Sequence, residues 1–165
     1  MRTVCDSGTV SPVELLIAAS ALGAALVAGV SFSFTAFAIR ALRTLPFEQG
    51  VVAMRAINGA SMKWPLLSLL TITSLLAIVT PLAAVVNEHP NAGWVAAGAA
   101  VFVLGVFLVS ASVSVPLNNV LQRLALTDSQ IQRKWARYLR TWNAWNAVRL
   151  VAGVVAAALF LAALV

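Results

Sequence analysis

Residues 13–39, 64–86, 93–115 and 147–165 are apolar runs, and the only charges inside them are Glu14 and Arg149. About 20 apolar residues in a helix cross the hydrocarbon core of a bilayer. Each run is therefore expected to be a spanning helix, because a helix satisfies its own backbone polar groups where water is absent. The chain is predicted to be an all-α integral membrane four-helix bundle, with residues 1–165 forming a single transmembrane domain. Composition agrees. Hydrophobic residues make up 61% of the chain and charged residues 10%, against roughly 25% charged in soluble domains. So few charges cannot coat a surface that faces water on all sides.

The charges that remain are segregated. Arg40, Arg43, Arg55 and Lys63 fall between the first two runs. Arg123, Arg133, Lys134, Arg137 and Arg140 fall between the third and fourth, with Arg149 just inside the fourth. The connection holding Glu88 and His89 has no Lys or Arg. Basic loops stay cytoplasmic. The expected protein is thus a multi-pass component of the cell membrane with both termini and the Glu88 connection on the non-cytoplasmic side. The net charge of +6 then reads as topology and contact with membrane lipids, and nucleic acid is not an expected partner. The first run is too long for a cleaved leader, and its flank carries only Arg2, offset by Asp6.

Metal chemistry is poorly provided for. Cys5 and His89 are the only residues of their kinds, and Cys5 precedes the first run while His89 falls between the second and third. A transition-metal site usually takes three or four ligands. Asp6, Glu14, Glu48, Glu88 and Asp128 are the only acids, and none falls mid-span. No metal site and no cofactor are expected.

Local patterns add detail. Ala25, Gly29 and Ser33, and again Gly153 and Ala157, repeat at helical spacing and suggest close helix packing. Residues 46–58 are predicted to form a short amphipathic helix at the membrane surface, with Phe47, Val51, Met54 and Ile57 or Asn58 on one side. The third run is expected to stop near Pro116. Thr127-Asp128-Ser129-Gln130 reads as a capping box opening another helix. That helix places Arg133, Arg137 and Arg140 on one face, and Trp135, Tyr138, Trp142, Asn146 and Arg149 on the other, with Trp145 nearby.

The polar residues at this level are the candidate site. Asn58, Asn118, Asn119, Asn143 and Asn146 come from three places in the sequence that the topology puts at one depth. They either bond one another or line a pocket where a flat lipophilic molecule stacks on Trp142 and Trp145. Arg149 enters the membrane by about a turn, so it either faces the bundle interior or snorkels outward. Convergence of Asn58, Asn118, Trp142, Asn146 and Arg149 is the expected arrangement. No phosphate loop, nucleophile elbow or carboxylate pair is present.

Three stretches resemble the anthrone oxygenase family of small membrane proteins. The first starts at Gly29-Val30-Ser31-Phe32-Ser33-Phe34 and continues through Ala41-Leu42-Arg43-Thr44-Leu45-Pro46 to Ala53-Met54-Arg55-Ala56-Ile57-Asn58. The second is Val115-Pro116-Leu117-Asn118-Asn119. The third is Trp135 with Tyr138, followed by Trp142-Asn143-Ala144-Trp145-Asn146-Ala147-Val148-Arg149. The resemblance implies a four-helix membrane protein and, for some members, oxidation of an anthrone by molecular oxygen. In that reading Arg149, Asn146 and Tyr138 are the catalytic candidates. Asn58, Asn118, Asn119, Trp142 and Trp145 are the substrate-binding candidates, and the ligand is a lipophilic phenol. The chain departs from the family pattern at Ala147, where many relatives carry histidine, and at Ser114, where they tend to carry asparagine. The alternative reading is a non-catalytic helical subunit of a larger membrane complex, with other membrane subunits as partners.

Overall fold

The computed structural model describes residues 10–165 apart from Met62, Pro65 and Asp128. Arg2, Cys5, Asp6 and Asp128, weighed above, lie outside the described residues. Five helices account for most of the rest: α1 (Pro12–Thr44), α2 (Phe47–Ser61), α3 (Leu66–Val86), α4 (Ala92–Arg123) and α5 (Ile131–Ala162). No strand occurs among the described residues. All but α2 are long and apolar enough to cross a membrane, so the chain is a multi-pass membrane protein.

Lengths explain the architecture. At 1.5 Å per residue, the 21 residues of α3 match a hydrocarbon core of about 30 Å. The other three run for 32 or 33 residues and overshoot it by about 18 to 20 Å. The overshoots are the C-terminal ends of α1 and α4 and the N-terminal end of α5, and α2 packs among them. Within the span the helices touch as a ring, α1 against α3, α3 against α4, α4 against α5 and α5 against α1.

Two apolar cores result. The first fills the span with Ile17, Val95, Phe102, Phe160 and a series of alanines. The second ties α2 to the overshooting ends through Ile39, Leu42, Val51, Met54, Leu121, Trp135 and Trp142. The amphipathic reading of α2 holds: Val51, Met54 and Asn58 are buried and Phe47 is partly buried.

Close approach in the span falls on small residues, as lipid requires. A side chain on Gly153 would meet Ala28 Cβ at 3.0 Å, and one on Gly23 would overlap Thr73. Gly153 and Ala157 are buried as expected. The other expected stripe is displaced. Ala25 and Gly29 are exposed, and the α1 packing face is Ala21, Ala24 and Ala28. In an all-apolar helix, small residues occur on several faces and spacing alone does not choose between them.

Other boundaries also differ from expectation. α4 does not stop at Pro116 but continues to Arg123. Wide π-helical turns at Val103–Leu108 and Ser110–Ser114 precede the proline. They shift the hydrogen-bond register where its ring would clash with the preceding turn. The box at Thr127 does not form, because α5 begins at Ile131 with Gln130 as its N-cap. A capping box closes the start of α1 instead. Glu14 N–H donates to Ser11 Oγ at 3.2 Å, and Ser11 N–H donates to the Glu14 carboxylate at 2.7 Å.

Candidate functional site

The cavity that carries the polar residues is lined by α1, the end of α2, the start of α3, α4 and α5. Its volume is about 130 Å³ and it is incompletely enclosed. Val27, Val30, Leu66, Leu67 and Leu70 make much of the wall apolar, while Asn58, Asn118, Trp142, Asn146 and Arg149 bring polar groups to it. Lining residues come from both cores, so the cavity lies where the span meets the overshooting helix ends.

Arg149 points inward. Its Nη2 donates to Asn146 Oδ1 at 2.8 Å and its Nη1 donates to Ser110 Oγ at 3.4 Å. Its guanidinium carbon stands 5.4 Å from the centre of the Trp142 ring, within cation–π range. Its Nε is buried with no partner. Among the described residues no carboxylate pairs with it. The result is a cation in an apolar recess, held only by neutral groups.

Asn146 fixes that cation. Its Nδ2 donates to the Ser31 carbonyl at 2.7 Å and to Thr35 Oγ1 at 2.8 Å. Its amide is thereby fully used, and its carbonyl oxygen is turned towards Arg149. The π-helical turn at Phe34–Ala38 carries Thr35, and the one at Ser110–Ser114 carries Ser110. Wide turns of this kind recur at functional sites, and here they flank the Asn146–Arg149 pair.

A second network stands beside it. Asn118 Oδ1 accepts from Tyr138 Oη at 2.9 Å and from Trp142 Nε1 at 3.1 Å. Asn58 Nδ2 donates to Tyr138 Oη at 3.3 Å. Phe34 packs on Trp142 with ring centres 5.1 Å apart. Phe34 and Arg149 thus pack on the Trp142 ring while Asn118 accepts its N–H, which holds the side chain in place.

Three of the expected site residues stand elsewhere. Tyr138 is not a lining residue, since its hydroxyl lies behind Asn118 and Asn58. Trp145 is 38% exposed and does not line the cavity, falling about 60° round the helix from Trp142 and about 100° from Asn146. Asn119 is exposed and reaches only a smaller neighbouring recess shared with Asn58, Asn118 and Gln122. Sequence reasoning gave no role to Ser31, Phe34, Thr35 and Ser110. The i, i+4 spacing of Ser31 with Thr35 and of Ser110 with Ser114 was the available signal, since polar side chains are rare inside apolar helices. Ala147 does not line the cavity, whereas Ser114 does. No group of three or more His, Cys, Asp or Glu comes together among the described residues.

The family model described as anthrone oxygenase matches residues 53–159. The matched segment holds Asn58, Ser110, Asn118, Tyr138, Trp142, Asn146 and Arg149, but not Ser31 or Thr35. No curated protein and no solved structure matches the chain.

Proposed function

The chain belongs to the anthrone oxygenase family, and from that premise we propose that it oxidises a flat, lipophilic phenolic or anthrone-like substrate with molecular oxygen. The observation that carries this reading is Arg149, an unpaired cation facing an apolar cavity with a rigid tryptophan beside it. Such a site favours an aromatic molecule that becomes an anion. The cavity is of the size that takes one aromatic ring, so the reacting ring enters and the remainder extends through the open side.

The chemistry balances without a cofactor. A C–H proton on the ring carbon opposite the carbonyl, and conjugated with it through the flanking rings, leaves to water, because the lining residues include no carboxylate and no histidine. The electron pair moves onto the substrate oxygen, and Arg149 stabilises the resulting enolate. Molecular oxygen adds at the ring carbon and, with a proton, gives a hydroperoxide. Loss of water turns that carbon into a carbonyl. One oxygen atom ends in the quinone and the other in water. Arg149 is the catalytic residue in this scheme. Asn146 is a positioning residue for Arg149, and Tyr138 is a positioning residue for Asn118. Asn58 and Asn118 orient the substrate, and Trp142 stacks on it.

The test is oxygen uptake and quinone absorbance by purified protein in lipid nanodiscs supplied with an anthrone. Uptake of one oxygen per quinone, lost on Arg149→Gln in a protein that still folds, supports the reading. A wild-type protein that neither binds nor oxidises the compound, and that purifies with other membrane subunits, would replace it with the scaffold reading.

A further inference from the structure

A second groove lies at the end of the molecule that carries α2, apart from the cavity. Phe47, Trp135 and Leu139 form part of its wall, and Arg43 and Arg140 stand on it as well. The groove measures about 630 Å³. Trp135 and Leu139 are buried, whereas both arginines are exposed. Neither arginine has a hydrogen-bond or ionic partner among the described residues. Gly50 seats the Trp135 ring, since a side chain there would meet it at 2.9 Å. The N-terminal end of α2 opens here through Pro46 and Phe47, and a helix N-terminus adds positive potential. Glu48 lines a different groove.

We propose that this groove binds an anionic phospholipid, with its phosphate between Arg43 and Arg140 and the start of an acyl chain along Phe47 and Trp135. Charge complementarity selects an anion. The aromatic wall selects an amphiphile over a free anion, because inorganic phosphate gains nothing from apolar surface. Position suits a membrane lipid, since Arg140 stands shortly before the apolar part of α5 and lines the same groove as Arg43. Basic recesses between spanning helices commonly hold such headgroups.

The experiment measures lipid retention by native mass spectrometry and the unfolding temperature of the full chain in neutral detergent. Phosphatidylglycerol, phosphatidylcholine and inorganic phosphate are the three probes. Phosphatidylglycerol alone is expected to be retained and to raise the unfolding temperature. The double variant Arg43→Ala, Arg140→Ala is expected to keep its lipid-free unfolding temperature and to bind phosphatidylglycerol about thirtyfold more weakly, the effect of two arginines near an anionic surface. Equal retention of phosphatidylcholine, unchanged affinity in the double variant, or an equal shift with inorganic phosphate alone would overturn the proposal.

Discussion

Arg149 shows how one side chain acquires a role from its neighbours. An arginine a turn inside a membrane is costly unless it snorkels or finds acceptors. Here Asn146 and Ser110 supply acceptors, and Trp142 supplies a π face. Arg149→Gln keeps a donor but removes the charge. Turnover is expected to fall on the order of 100-fold or more, as when one oxyanion donor is lost, with kcat affected more than KM in steady-state kinetics. Tyr138→Phe tests the second network. It removes one donor to Asn118 and the acceptor for Asn58. The unfolding free energy is expected to drop by about 1 to 2 kcal/mol, with a smaller loss of turnover than for Arg149→Gln. A greater turnover loss for Tyr138→Phe would mean that its hydroxyl touches the substrate after all.

Helix ends and helix contacts carry predictions of their own. α3 closes in a Schellman motif, with His89 N–H donating to the Ala84 carbonyl at 2.8 Å and Glu88 N–H to the Val85 carbonyl at 3.1 Å. Glu88 holds a φ of 50° there, a left-handed conformation that costs an L side chain about 1 to 2 kcal/mol. Glu88→Gly is therefore expected to stabilise the protein, by about 1 kcal/mol or less after the greater chain entropy of glycine. Thermal unfolding in detergent reads this directly. Gly153→Val has the opposite sign. The new side chain would press on Ala28 Cβ and the Ala24 carbonyl, where backbone cannot give way. A loss of about 1 to 3 kcal/mol is expected. The same change at Gly29, which has open space around it, should be close to neutral, and the pair of measurements tests which face of α1 is packed.

At the scale of the molecule, the second core turns four spans into a site. α2 is too short and too polar to cross the membrane, yet it closes the end of the bundle. Arg55 anchors it by donating to the carbonyls of Leu121 and Leu124 at the end of α4. Arg40, Arg43, Arg55 and Lys63 share this end with Arg123, Arg133, Lys134, Arg137 and Arg140. We propose that this end faces the cytoplasm. Cysteines introduced at position 63 and at position 88, in a Cys5→Ser background, test the orientation with a membrane-impermeant thiol reagent. Position 88 is expected to react from outside intact cells and position 63 only after lysis. The reverse pattern would invert the topology and place the cavity at the outer side.

Much of this was legible in the chain itself. The four spans followed from hydropathy, because a bilayer admits few other solutions for long apolar runs. The two faces of α5 followed from period: Trp135, Tyr138, Trp142 and Asn146 are buried while Arg133, Arg137 and Arg140 are exposed. Three placements needed the tertiary structure. The small-residue face of α1 could not be chosen, since alanine, glycine and serine recur all around that helix and only the neighbouring α3 and α5 break the tie. The continuation of α4 through Pro116 depends on π-helical turns, which leave no periodic trace in sequence. The direction of Arg149 was the third. Snorkelling and burial differ by the acceptors available, and those acceptors, Ser110 on α4 and an Asn146 held in turn by Ser31 and Thr35 on α1, lie 39 to 115 residues apart from their partners except within α5 itself. Hydrogen bonds between distant segments have no local signature, so the fold had to bring them together before the cation had a direction to face.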